Sequence, residues 1–191
     1  MKLTKTLVAS FILSIASAGA LAAEMNAGTI HFTGQIIEPS CTIEGDDGTD
    51  STVLLGTYPN SLFTEVGKES DLIPFTITLS ECPVKSDGLP SIQLTFNATT
   101  ALTGTTTLMD VSKITTEGET AATGIGIAVS PEGDNTGLIA FDGSEDQVKI
   151  KLPTLKNDQI YANFNARYKS FATQVTAGPA DADMTINILY R

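Results

Sequence analysis

Apolar and polar positions alternate in short runs along most of this chain. Residues 72–79 set Phe75, Ile77 and Leu79 against threonines, and residues 92–96 and 125–129 repeat the pattern. Residues 161–168 carry it through a longer run. Alternation of period two predicts half-buried strands, because successive side chains leave opposite faces of the backbone. Residues 53–55, 138–141 and 148–152 read as shorter strands, and residues 184–190 as a last one. Turn formers separate them: Gly56, the cluster Pro131-Glu132-Gly133-Asp134, and a Gly/Pro/Ala-rich connection over 170–183. The acidic stretch 44–52 is predicted to be a solvated hairpin loop. Residues 98–107, rich in threonine and glycine, read as a loop or weak ribbon. One turn of helix is expected near 61–66. No longer segment has a helical period and no internal repeat is present, so the predicted fold class is an all-β sandwich.

Two stretches carry more than a strand prediction. Residues 28–41, GTIHFTGQIIEPSC, alternate through Gly28, Ile30 and Phe32 and break at Gly34; Ile36, Ile37 and Pro39 precede Cys41. An extended arm of this kind can pair with its own domain or along the sheet edge of a neighbour, and the pattern leaves both open. Residues 184–190 contain no charge and no proline, the devices that ordinarily protect an edge strand. This last strand is therefore expected to have its outer edge covered by another segment. Taken together, the two features suit β-strand addition, in which one chain's arm completes another's sheet. Arm and edge then join different copies, which makes a head-to-tail contact and an open filament. An arm that folds back as the first strand of its own domain is the alternative.

Composition narrows the setting. Lys2 and Lys5, the apolar run 7–15 and Ala20-Leu21-Ala22 form the three parts of a secretory signal peptide, with cleavage expected after Ala22 or Ala23. The apolar run falls short of the ~20 residues of a membrane span. About 169 residues remain, and the net charge of −11 becomes −13 once both lysines are gone. So acidic a chain is a poor partner for nucleic acid or an anionic membrane. Cys41 and Cys82 are the two cysteines, and in an exported chain such a pair is most simply one disulfide. That bond would stabilise the fold by ~4 kcal/mol in the chain-entropy picture.

Catalytic chemistry finds little to stand on. His31 is the lone histidine, placed on the face of the arm opposite Ile30 and Phe32. No GxSxG elbow, no glycine-rich phosphate loop and no metal-spaced His/Cys set accompanies it. The carboxylates gather in turn-like segments such as Asp46-Asp47 and Glu132–Asp134. No catalytic residue, metal site or cofactor is predicted.

The run from Gly28 to Gly34, followed by Ile36-Ile37 and Cys41, resembles the start of type 1-like fimbrial major subunits of the chaperone–usher pathway. So do Val53-Leu54-Leu55-Gly56, the strand running into Cys82, Gly124-Ile125-Gly126-Ile127, Phe164-Asn165-Ala166-Arg167-Tyr168, the stretch 180–183 and the penultimate Tyr190. The resemblance implies an incomplete immunoglobulin-like (pilin) sandwich lacking its last strand, with Cys41–Cys82 as the family's disulfide. It implies a donor arm over 23–33, with Gly28, Ile30 and Phe32 as donor-strand residues, and a pilin domain over 34–191. Ile186, Ile188 and Tyr190 would wall the groove, and the carboxylate of Arg191 would be held by a periplasmic chaperone. At an outer-membrane usher the arm of the next subunit would replace the chaperone's strand. The function implied is a structural subunit of a surface fimbria that polymerises by donor-strand exchange and serves adhesion. A tip adhesin or secreted carbohydrate-binding module on the same export route is the alternative.

Overall fold

The computed structural model of the chain describes residues 28–34, 36, 38, 41–111 and 118–190. Among these, regular structure consists of β1 (Thr42–Glu44), a 3-10 turn (Asn60–Leu62), β2 (Ile73–Ser80), β3 (Ser91–Asn97), β4 (Met109–Asp110), β5 (Ile125–Pro131), β6 (Val148–Lys151), β7 (Ile160–Ser170) and β8 (Thr185–Tyr190). The chain divides into two units, Met1–Thr33 and Gly34–Arg191. The predicted signal peptide, Ile37, Pro39 and Arg191 lie outside the described residues.

All strand pairs are antiparallel and build two sheets. One has the order β1-β2-β7-β5-β4 and the other β6-β3-β8. The inward rows follow the alternation in the sequence. On the larger sheet they are Ile77 and Leu79 of β2, Ala162, Phe164 and Ala166 of β7, and Ile125, Ile127 and Val129 of β5. On the smaller sheet Ile92, Leu94 and Phe96 of β3 are completely buried. Phe164 ties the layers together, stacking on Phe75 at 5.5 Å between ring centres and meeting Phe96 edge-on at 5.8 Å. Interdigitated rows of this kind form the dry middle of a sandwich.

β5 departs from the half-buried expectation, since residues 125–130 are buried on both faces. Its outward row is small, Gly126, Ala128 and Ser130, and neighbouring elements cover it. A Cβ at Gly126 would run into the Met109 carbonyl of β4. Ser130 Oγ accepts from Arg167 Nη1 at 3.0 Å. Arg167 sits on the outer face of β7 yet is only 2% exposed, because loops fold over it. Its Nη2 donates to the Asn135 carbonyl, and its Nε lies 2.8 Å from Glu69 Oε2 as an ion pair, off the angle of a hydrogen bond. Lys169 Nζ donates to the other Glu69 oxygen at 2.7 Å.

Three predicted segments differ in the structure. Residues 53–55 form no strand: Val53 and Leu55 pack on the core and Leu54 is exposed, but their backbone has no ladder partner among the described residues. Residues 138–141 likewise form no strand. Ile139 and Phe141 are buried, and their amides bond to Val129 and Thr106 in a pattern too irregular for a ladder. An apolar pattern secures burial; a strand needs a partner edge as well. The arm differs from both, having neither a ladder nor burial among the described residues. Residues 28–34 carry no strand, and Ile30 and Phe32 are 79% and 92% exposed. The helical turn near 61–66 is a single 3-10 turn at Asn60–Leu62, and two short strands, β1 and β4, had no sequence prediction.

Candidate functional site

The sandwich ends on one side in two edge strands, β1 of the larger sheet and β8 of the smaller. β8 pairs in register with β3, placing Ile186 opposite Phe96, Ile188 opposite Leu94 and Tyr190 opposite Ile92. The two rows face the same way but differ in burial. The β3 residues are fully buried between neighbours, whereas Ile186, Ile188 and Tyr190 are half-buried because β8 has one ladder partner among the described residues. Its second edge of backbone N–H and C=O groups is therefore offered outward with an apolar row beneath it. That combination is what an added strand needs: hydrogen bonds for affinity and alternate pockets for register.

β1 is three residues long and covers only the Thr78–Ser80 end of β2. Cys41, immediately before β1, is bonded to Cys82 just beyond β2. The disulfide thus clamps a short edge strand that two or three ladder bonds would hold poorly. The Cys41 amide donates to Tyr190 Oη at 2.9 Å, across 149 residues of sequence. This bond shows that the β1 and β8 edges face one another on the same side of the sandwich. The half-buried apolar residues Cys41, Ile43, Ile186, Ile188 and Tyr190 lie along these two edges.

The lead into β8 is pinned at several points. Tyr168 Oη donates to the Ala180 carbonyl at 3.1 Å, and its ring meets Tyr58 edge-on at 6.1 Å. Asn60 Nδ2 donates to the Val175 carbonyl at 3.2 Å. Burial of the Tyr168 phenol, with Asp181 nearby as a second cause, pushes its pKa above the usual tyrosine value.

The predicted groove residues Ile186, Ile188 and Tyr190 are therefore on one face of one edge strand, and Cys41–Cys82 closes beside them. Gly28, Ile30 and Phe32 lie in the other unit, and Arg191 is outside the described residues. Sequence reasoning missed the Cys41–Tyr190 bond, the short β1 edge and the Arg167–Glu69–Lys169 group. Only the hydroxyl of an aromatic residue in the otherwise apolar inward row of that strand hinted at the first. Among the described residues no cluster of three or more His, Cys, Asp or Glu is placed to hold a metal.

The family description "Fimbrial protein" matches residues 30–191. This chain belongs to the fimbrial protein family. A type-1 fimbrial protein subunit of Serratia marcescens is 35% identical over 187 residues, 96% of each chain. The fimbrial-like protein SfmA of Escherichia coli K12 is 34% identical over 180 residues, 92% of this chain and 91% of the relative. The crystal structure of the P pilus rod subunit PapA shares the fold, with a TM-score of 0.58 and 23% identity over 80% of this chain and 99% of PapA. The fimbrial sandwich thus has the incomplete immunoglobulin-like fold of pilins, two sheets with one disulfide, and β8 is an edge strand among the described residues. A type 1 fimbrial subunit of Salmonella typhimurium, 32% identical over 195 residues, is a further relative, covering 99% of this chain and 98% of the relative.

Proposed function

We propose that this fimbrial subunit is polymerised head-to-tail by donor-strand exchange into a surface fibre that serves adhesion. The observation that carries the reading is the apolar, outward-facing edge of β8 on the same chain as an exposed alternating arm. Ile30 and Phe32 of one copy would enter the cleft of the next between β1 and β8. Burial of each is worth ~1.5–3 kcal/mol, and each ladder bond adds ~0.5–1.5 kcal/mol net. Gly28 suits a tight part of the cleft because it has no side chain to clash. Before assembly, the open edge exposes an aggregation-prone strand. On this reading a periplasmic chaperone covers it, an outer-membrane usher exchanges the chaperone strand for the next arm, and a signal peptide ending at Ala22 brings the chain to that compartment. Residues 23–33 are the donor arm and residues 34–191 the receiving domain.

Deletion of residues 23–32 tests the reading by size-exclusion chromatography with light scattering. Wild type is expected to form SDS-resistant ladders, and the deletion to give only monomer or a one-to-one chaperone complex. A wild-type protein that is a stable monomer on its own, and that unfolds when the arm is removed, would instead make the arm an ordinary strand of a complete sandwich.

A further inference from the structure

Backbone hydrogen bonds alone cannot hold an added strand at one position. A slip of one residue exchanges the buried and exposed faces, but a slip of two keeps the face and moves every side chain by one pocket. Something at the end of the cleft has to stop the strand. β1 and β8 belong to different sheets and share no ladder, so their spacing must be set by other contacts.

The Tyr190 ring stands on the same face as Ile186 and Ile188, opposite fully buried Ile92. Its hydroxyl reaches the Cys41 amide at 2.9 Å. Cys41 is in turn braced by its bond to Cys82 at the far end of β2. The tyrosine therefore bridges from the edge of one sheet to a covalently anchored point at the edge of the other. We propose that Tyr190 is a positioning residue: a strut that sets the gap between β1 and β8 at the disulfide end and closes the cleft there, so that an extended strand of a second copy settles in one register. The inference rests on the donor-strand reading above and goes further by giving that exchange an end stop.

The test uses the mature full chain, wild type and Tyr190→Phe, refolded with an excess of a synthetic peptide of residues 23–35. The peptide carries a benzophenone side chain at the position of Phe32, and cross-links are mapped by mass spectrometry. In wild type a single cluster of cross-linked residues is expected. In Tyr190→Phe a second cluster should appear two residues along β8. The peptide should also leave about tenfold faster, the order set by one lost hydrogen bond. Equal dissociation with one shared cluster would overturn the strut, since a merely structural tyrosine would change stability without changing register. A wild-type chain that takes up no peptide would overturn the donor-strand reading and the strut with it. One measurement is independent of how the variant folds. In wild type the Cys41 amide should exchange with solvent far more slowly than those of the 44–52 loop, and exchange at loop rate would also overturn the proposal.

Discussion

At the scale of single residues, the largest departure from a surface strand pattern is Arg167. Alternation places it outward on β7, beside Asn165 and Lys169, yet it is almost inaccessible. A buried guanidinium is tolerated only when its charge and its donors are met. Here Glu69 supplies the charge, while Ser130 and Asn135 take two of the nitrogens. Removing it by Arg167→Met leaves Glu69 with Lys169 alone and frees two loops. The expected loss is ~3 kcal/mol in urea unfolding, toward the low end for a broken buried pair because Glu69 is partly exposed. Arg167→Lys should recover little of it, since an ammonium cannot reproduce the planar fork. Tyr168 makes a second residue-scale prediction. Its folded pKa is raised, first by burial and then by Asp181. Its contribution to stability is therefore complete below the ordinary tyrosine value of 10.0 and is lost as pH rises toward and through the folded value. Tyr168→Phe should weaken the fold by ~0.5–1.5 kcal/mol at neutral pH through the bond to Ala180. It should also flatten the alkaline fall seen in denaturation midpoints above pH 10.

At the scale of elements, β8 decides what this molecule can do. It obeys the alternation rule as faithfully as β3 does, and its inward residues are as apolar. What differs is the number of neighbours, and hence half burial in place of full burial. The two faces of β8 should respond differently to charge. Ile188→Asp places a carboxylate in the apolar row, where an added strand would have to desolvate it, and SDS-resistant ladders should disappear. Asn187→Asp, on the exposed face, should leave them intact. Gel analysis of the two variants side by side checks this, and equal loss in both would mean that the inward face of β8 is not the surface used. Other elements show where pattern reading stops. Val53, Leu55, Ile139 and Phe141 pack into the core without their segments becoming strands, because packing against the core demands only side-chain contact. β1 was hidden for the opposite reason: Thr42-Ile43-Glu44 has one apolar residue, and its partner edge and the adjoining disulfide make it a strand.

At the scale of the whole molecule, charge and assembly oppose each other. The chain carries 22 acidic residues against 11 basic ones. Copies that join head-to-tail repel at long range, while the contacts that would hold them are apolar and hydrogen-bonded. Raising salt shortens the screening length from ~30 Å at 0.01 M to ~10 Å at 0.1 M. Polymerisation followed by light scattering should therefore accelerate over that range, whereas the thermal resistance of finished polymers should change little. Slower assembly at higher salt would mean that attractive ion pairs guide the approach of the copies.

The amino-acid order by itself determined the all-β class, the positions of β2, β3, β5, β6, β7 and β8, the disulfide, and the apolar character of the arm and the last strand. Each of these follows from local pattern: period-two alternation dictates which side chains share a face, and two cysteines allow one bond. Tertiary structure alone decided that β1 is the edge facing β8, how deeply Ile186, Ile188 and Tyr190 are buried relative to Ile92, Leu94 and Phe96, and how an outward-pointing Arg167 comes to be enclosed. It also decided that the Tyr190 hydroxyl meets the Cys41 amide from the far end of the chain. Those outcomes depend on which segments become neighbours in space, and no periodicity along a single chain encodes the identity of a neighbour 149 residues away.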